Sequence, residues 1–566
     1  MSALKDFNTY EIQNPVLPGF YPDPSICRKG NDFYIACSSF MFYPGIPLFH
    51  SRDLAHWEPV GYVFDRPDML TLTPESGGLF APTLRYHDGL FYLIVCNTGM
   101  QQTLLATAED PAGDWTLHGI LNTGTGDPSL FWDDDGSCWC SYNGDGGVFN
   151  QKLNLETMEL EGDPLLLWTG AAADAWSPEA SHIYKKDGWY YLMIGEGGTE
   201  HYHAVTIARS RDINGPYESY MGNPILTHRH LSMYYPIANV GHADLVDTPN
   251  GEWYLVTLAS RIYGGYHKNM GRETFLCPVI WESGWPVVSP ETGRVEFSYP
   301  APDLPEYPVS GFAELDHFDA PVLNMQWNYM GTPANTPVRL ADSCVYIRAL
   351  PAPVWAPKTP PAFLAGGLPD LNDPAVRAEF DAKMQEMQRS TKPEALGFLG
   401  RRQQHVSYTV TAAMAFTPAE GEAAGLVLTE ENHNQLRLEL TAIDGQQLVR
   451  VVRGVSVSDG MTFGRQLLPD LPPCPYENGS VVLGQIPWIG GPLVLRLDAN
   501  GQANSFFAGR DEDHLVPVAL NIDGSFLGSE TSGSFVGAYI GMFATSNGAE
   551  SENEAAFDWF RYVGKS

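Results

Sequence analysis

One pattern recurs five times in the first half of the chain: a turn carrying Gly, followed by an aromatic-rich alternating strand. It stands as GNDFYIACSS from Gly30, DGLFYLIVC from Asp88, DGSCWCSY from Asp135, DGWYYLMIG from Asp187 and NGEWYLVTL from Asn250. Gly30, Gly89, Gly136, Gly188 and Gly251 are spaced 59, 47, 52 and 63 residues apart. A short Gly turn flanked by period-2 hydrophobics is a hairpin. Five hairpins at such spacing predict five small antiparallel sheets, and hence an all-β chain whose first part is a five-bladed β-propeller with four strands per blade.

A second element follows several hairpins: LFHSRDLAHWE from Leu48, LLATAEDPAGDWT from Leu104 and VTIARSRDINGPYE from Val205. These are the expected third strands and their turns. Upstream of each hairpin lies a short strand, DPSIC, APTLRY, DPSLFW, SPEASHIY and HADLVDT, whose equivalent positions carry Asp23, Thr83, Asp127, Glu179 and His242. First strands line the central channel of a propeller. Three carboxylates and a histidine would then share one cavity, where repulsion separates their pKa values and with them acid and base roles. Taken singly, Asp-Pro at Asp23 or Asp127 is an ordinary turn former.

Charge and composition narrow the function. With 33 Lys+Arg against 67 Asp+Glu in 566 residues the formal charge is −34, which argues against nucleic acid or an anionic membrane as partner. The length calls for two or three domains. High Gly, Pro and aromatic content suits turn-dense β structure. No apolar run approaches the ~20 residues of a transmembrane helix, and the first residues lack an apolar signal core, so a cytoplasmic protein is expected. The eight cysteines lack the close pairing of a zinc site and are expected to be buried free thiols; Cys138 with Cys140 is a weak metal pair. His201 with His203, and His228 with His230, are H-x-H pairs without further ligands and are expected at a polar pocket rim.

A Pro-rich stretch ending near Pro308 interrupts the repeat and is expected to be a linker between domains at 1–308 and 309–566. Beyond Phe312, alternating segments such as HVSYTVTAAMAF, AGLVLTE, NQLRLELTAI, QLVRVVRGV, LVLRLDA, GAYIGMFAT and AAFDWFRYV predict a β-sandwich of two sheets. Ala375 to Met387 reads as an amphipathic helix inside a Pro-rich insertion spanning 351–395.

The sequence resembles glycoside hydrolase family 43, in particular its two-domain β-xylosidases. The likeness is carried by NPVLPGFYPDPSI (Asn14 to Ile26), FYPGIPLFHSRDLAHW (Phe42 to Trp57), APTLRYHDG (Ala81 to Gly89), GTGDPSLFWDDDG (Gly124 to Gly136), WSPEASHIYKKDGWYYL (Trp176 to Leu192), GHADLVDTPNGEWYLV (Gly241 to Val256) and GRETFL (Gly271 to Leu276). It implies an inverting exo-glycosidase on a five-bladed propeller followed by a concanavalin-like jelly roll. Asp23 matches the general base, Glu179 the general acid, and Asp127 the third carboxylate that keeps the acid's pKa up. Arg272 matches an arginine that binds the sugar, and an ion pair with Glu273 is its alternative. His242 matches a channel histidine, which in relatives holds water or a calcium ion; no cofactor is otherwise required. Phe40 matches an aromatic that packs on the sugar, and Phe80 stands where many relatives have Trp. Phe535 matches an aromatic that a loop of the second domain lends to the pocket.

The resemblance implies release of xylose from xylo-oligosaccharides, with α-L-arabinofuranosidase activity as the alternative. A non-catalytic carbohydrate-binding propeller is the reading from another class, and a fructan-active five-bladed enzyme fits the motifs poorly. The second domain could itself be a carbohydrate-binding module. Neutral oligosaccharides suit a strongly acidic protein, and assembly into a homo-oligomer stays open.

Overall fold

The computed structural model describes residues 10–565, apart from 75–76, 99–101, 122, 124–125, 145, 172–175, 334–336, 457–474 and most of 358–395. The described chain is almost entirely β. Five antiparallel sheets follow one another along the first half, each built from strands in chain order. Their first strands are Ser25–Lys29, Leu79–His87, Ser129–Trp132, Glu179–Lys186 and Ile237–Asp247. The five repeat glycines sit in the turns that follow, with φ of 65°, 91°, 82°, 73° and 83°. Only glycine takes that conformation without a steric cost, which is why the repeat is visible in the sequence. The expected third strands are found as Gly45–Ser51, Gln102–Ala108 and Ala204–Ser210.

Each first strand lies beside the next, and the fifth returns to the first. Where they converge, one buried polar cluster draws a residue from every sheet. Asp244, fully buried in the fifth, accepts from Ser25 Oγ (2.7 Å) and the Ile26 amide (3.0 Å) of the first, from Arg85 (2.7 and 3.1 Å) of the second and from Tyr184 Oη (2.6 Å) of the fourth. His182 Nδ1 accepts from Arg85 Nη2 at 2.9 Å and from Ser129 Oγ of the third sheet at 3.0 Å. Burial pushes His182 down to about 3, so the ring is neutral. Asp244 is held well below its ordinary range: its burial is outweighed by the Arg85 guanidinium and by the hydrogen bonds that Arg85 and Tyr184 donate.

The Pro-rich stretch is not a free tether. Ser298–Pro300 pairs with Glu11–Gln13, Tyr10 Oη donates to the Leu304 carbonyl at 3.0 Å, and the Tyr307 amide donates to Asp53 at 2.7 Å. Proline rings do not prevent this, because the bonds come from the residues between them.

The second half is two sheets. One runs through Val338–Ala341, Cys344–Arg348, Glu554–Lys565, Ser407–Ala415, Leu493–Asn500, Ala503–Gly509 and Val516–Asp523; the other through Phe398–Arg402, Tyr539–Thr545, Ala423–Thr429, Gln435–Ile443, Gln446–Val455 and Gly479–Pro487. Alternate residues of both, among them Val410, Leu438, Leu495, Met542 and Phe557, form one apolar core. The halves are joined by more than the chain: Phe42–Tyr43 pairs with Tyr329–Met330, and the Phe42 ring stacks on Tyr539 at 3.7 Å.

Most of the expected helix from Ala375 to Met387 lies outside the described residues; its described positions are helical and include a Lys383–Glu379 pair. Six cysteines are buried and free as expected, but Cys344 is partly exposed near a sheet end, and Cys474 lies outside the described residues. No described helix is long and apolar enough to cross a membrane.

Candidate active site

At one end of the converging first strands is a cavity of about 250 Å³ lined by Asp23, Phe40, Phe80, Ala81, Asp127, Ser177, Glu179, Gly198, Thr199, His242, Arg272 and Phe535. All eight site residues expected from the sequence line it. Thr83 does not: a bulge between Phe80 and Thr83 turns Ala81 to the cavity, so the second sheet presents a methyl where its neighbours present acids.

The backbone is bent to make the site. Asp23, Ala81, Ser177, Ala180 and His242 all have φ between 42° and 54°, a left-handed conformation unusual for residues with a side chain. Ladder register slips between Glu179 and His182, and again around Gly241. These bulges re-aim side chains that regular pleating would send to alternate faces.

His242 is the centre of the charge cluster. Its Nδ1 lies 4.0 Å from Asp23 Oδ1, 4.0 Å from Asp127 Oδ2 and 3.8 Å from Glu179 Oε1. Burial disfavours its charge, but Glu179, Asp23 and Asp127 outweigh that and push the imidazole up to about 9. Asp23 accepts from Arg272 Nη1 on one oxygen and from Ser38 Oγ on the other, both at 2.6 Å. Asp127 Oδ2 accepts from the Ala180 amide at 3.0 Å, which pins the bulge next to Glu179. Burial holds the Asp127 carboxyl up at about 6, His242 opposing and Glu179 and Asp23 reinforcing. Burial raises the Glu179 carboxyl, whereas a proton on His203 Nε2, 3.0 Å away, and the charge of His242 at 3.8 Å would pull it below the usual carboxylate range.

Arg272 is committed to the cavity. Besides Asp23, its Nη1 donates to Thr199 Oγ1 at 3.2 Å and its Nη2 to the Phe535 carbonyl at 3.2 Å. The alternative partner, Glu273, is fully buried facing the other way, where it binds Arg261 twice at 2.7 Å and the Gly19 amide at 2.6 Å. Phe535 comes from the second half, and its loop is brought close by two glycines. A Cβ on Gly271 would stand 2.8 Å from Gly537 Cα, and one on Gly537 2.4 Å from the Met270 carbonyl. The aromatic wall runs Phe20, Phe40, Phe80, Phe535 with centroids 5.3, 4.1 and 6.2 Å apart. Phe40 is only 2% exposed, so Phe80 and the 43% exposed Phe535 present more surface to the cavity.

Nδ1 of His242 and single oxygens of Asp127 and Glu179 lie within 4.8 Å of one another. Calcium takes six to eight oxygen ligands, and this group offers two carboxylates beside a ring nitrogen, so these side chains alone suit calcium poorly.

The other histidines separate sharply. His228 donates from Nδ1 to the Ile237 carbonyl (2.7 Å) and accepts the Val295 amide on Nε2 (3.0 Å), a structural role within the fold. His203 is fully buried with Nε2 3.0 Å from Glu179 Oε1, not at a rim. Its H-x-H spacing was legible; its direction depends on the turn closed by the His203 amide on the Glu200 carbonyl. Ser38 and Thr199 carry no sequence signal of their own.

Residues 12–286 match the family described as Glycosyl hydrolases family 43, and residues 315–563 match the Beta xylosidase C-terminal Concanavalin A-like domain. The chain is 38% identical over 562 residues to a xylosidase/arabinosidase of Butyrivibrio fibrisolvens, covering 97% of this chain and 98% of that protein. It is 31% identical to a non-reducing end alpha-L-arabinofuranosidase of Bacteroides ovatus, covering 97% and 94%. The crystal structure of a xylan beta-1,4-xylosidase from Bacillus halodurans C-125 superposes with a TM-score of 0.82 at 30% identity, covering 98% of this chain and 100% of that one. The chain is a glycoside hydrolase and belongs to glycosyl hydrolase family 43.

Proposed function

We propose that the chain is an inverting exo-glycosidase that removes terminal xylose from β-1,4-linked xylo-oligosaccharides, with α-L-arabinofuranosides as a second substrate class. The five sheets are the blades of a propeller, residues 1–308 form the catalytic domain, and residues 309–566 form the domain that closes its pocket. The observation that carries the reading is the gathering of three carboxylates around one imidazole, within 4.0 Å of its Nδ1, in a cavity walled by phenylalanine.

In this reading Asp23 takes a proton from water, which attacks the anomeric carbon. Glu179 gives its proton to the departing oxygen from the opposite face. Because both lie within 4.0 Å of His242 Nδ1, their nearer oxygens are at most about 8 Å apart, compatible with the ~6.5–9.5 Å of inverting sites. Asp127 shapes the bulge under Glu179 and repels a second negative charge there. Arg272 keeps Asp23 in line and has a fork of donors suited to vicinal hydroxyls. The cationic His242 balances the acids, and no step runs through a metal ion.

A cavity of about 250 Å³ closed by Phe535 suits a chain end rather than a chain middle, since typical small-molecule sites run ~300–1,000 Å³. The relatives named for xylosidase and for arabinofuranosidase activity support both substrates. Proton NMR of xylobiose digestion, with an arabinofuranosyl oligosaccharide in parallel, tests the proposal. α-Xylose released first supports inversion; β-xylose first, or no turnover of either sugar, overturns it.

A further inference from the structure

His203 makes two hydrogen bonds that together fix where a proton sits. Nδ1 lies 3.3 Å from the backbone oxygen of Asn239, and Nε2 lies 3.0 Å from Glu179 Oε1. A carbonyl only accepts, so Nδ1 carries a hydrogen. Nε2 is then either a bare acceptor, with the shared proton on Glu179, or the second donor of an imidazolium facing a carboxylate. Both forms carry the same net charge; they differ only in which heavy atom holds one proton.

The surroundings favour the neutral form. His203 is fully buried, and an ion pair there must strip water from two charges while a neutral pair strips it from none. The charges that share the cavity with Glu179 are already matched: Arg272 and the His242 imidazolium against Asp23 and Asp127. A further buried cation has no other anion to answer it.

The ring is held for this task. A Cβ on Gly241 would lie 2.3 Å from the His203 ring, so that position must be glycine for the ring to fit, and a Cβ on Gly195 would crowd Nε2 at 3.3 Å. Asn239 takes a left-handed φ of 61°, and its side chain is fixed by Tyr266 Oη at 3.0 Å and Glu200 at 3.3 Å, with the buried Lys268 closing on Glu200. That network holds the Asn239 carbonyl opposite Nδ1.

We propose that His203 is a positioning residue for the reaction: a neutral imidazole, hydrogen-bonded through Nδ1 to Asn239, whose Nε2 accepts from the Glu179 carboxyl and keeps the acid protonated and aimed. The inference rests on the role of Glu179 proposed above.

Neutron diffraction of the whole enzyme at neutral pH reads the proton directly. Deuterium on Glu179 with none on His203 Nε2 is expected; deuterium on both His203 nitrogens overturns the proposal. In solution, His203→Phe keeps a flat ring but removes the acceptor. The basic limb of the kcat pH profile on xylobiose should then move about one unit lower, with kcat on an aryl xyloside of good leaving group much less affected, and His203→Gln should restore part of the shift. A limb that moves upward, or equal losses on both substrates without a shift, overturns it. Glu179→Ala on the same substrates separates the cases: if it shows no leaving-group dependence, the acid assignment fails, whereas the proton position on His203 stands on its own.

Discussion

Arg272, at the bend leading into the Glu273–Glu282 strand, donates Nη2 to the backbone oxygen of Phe535, from the second half, at 3.2 Å while its Nη1 holds Asp23 at 2.6 Å. The site is therefore completed by a domain that supplies no acid or base. The hydrogen bond from Arg272 goes to the Phe535 backbone, while the half-exposed ring packs edge-on against Phe80 with the guanidinium 6.0 Å from its centroid and turns its remaining face to the cavity. Phe535→Ala should leave Arg272 in place and remove only the aromatic face. Contacts of that kind contribute about 0.5–1.5 kcal/mol, so kcat/KM on xylobiose should fall roughly two- to tenfold, carried by KM. Because the ring is 43% exposed, thermal unfolding should hardly change. Unchanged kinetics would remove the loop from the site.

Removing the acid and removing the base should leave different signatures. Protonation of the leaving oxygen matters most when that oxygen is basic. Glu179→Ala should cost at least a hundredfold more on xylobiose than on an aryl xyloside with an activated leaving group. Asp23→Ala should depress both substrates alike, since water must be activated whatever departs. Parallel kinetics on the two substrates decide the assignment, and equal losses for Glu179→Ala would count against it.

These residues were legible in the sequence because the fold repeats. Gly30, Gly89, Gly136, Gly188 and Gly251 mark turns that demand positive φ, and counting back from them finds Asp23, Asp127, Glu179 and His242. The count slips at Thr83, where a bulge substitutes Ala81, because a bulge adds a residue without changing the hydrophobic pattern. The sandwich strands that alternate clearly, such as Gln435–Ile443, were readable, whereas Gly479–Pro487 and Val516–Asp523 were not, their exposed faces lacking a buried partner stripe. The tie between Glu179 and His203 depends on a turn, and the buried cluster on Asp244 on five strands meeting. Neither has a local signature.

The charge on His242 has a cost in alkali. Its folded pKa, about 9, lies above the ~6.5 of the unfolded chain, so its contribution to stability is full below about pH 6.5 and disappears as pH rises through 9. Asp127, raised to about 6, likewise opposes folding once it ionises. Melting temperature should therefore fall between pH 6 and 9. Asp127→Asn should be inactive yet more stable than the parent above pH 6, by an amount on the order of 1–3 kcal/mol. Differential scanning calorimetry across that range checks it, and an Asp127→Asn protein that melts lower at pH 8 would contradict the shared-charge picture.

The Asp244 cluster sets the opposite, acidic limit. Asp244 is fully buried with Arg85, Tyr184 and Ser25 on its two oxygens, and its pKa is depressed, so the stabilisation it gives is present above the ordinary aspartate value of about 3.9 and is lost as pH falls below it. Asp244→Ala leaves the Arg85 guanidinium buried without its anion and removes the group that bridges four of the sheets. Breaking a buried pair in this way costs about 3–5 kcal/mol. Since Asp23, Asp127, Glu179 and His242 lie two or three residues before Ser25, Ser129, His182 and Asp244, on or just ahead of the same first strands, the loss should spread from stability to catalysis. Denaturant titration should show the large destabilisation at neutral pH, with the difference from the parent shrinking in acid. Surface removal of a comparable pair, Arg339 with Glu554, should cost no more than about 1 kcal/mol in the same titration. A similar small cost for Asp244→Ala would show that the first strands are held together by their apolar contacts alone.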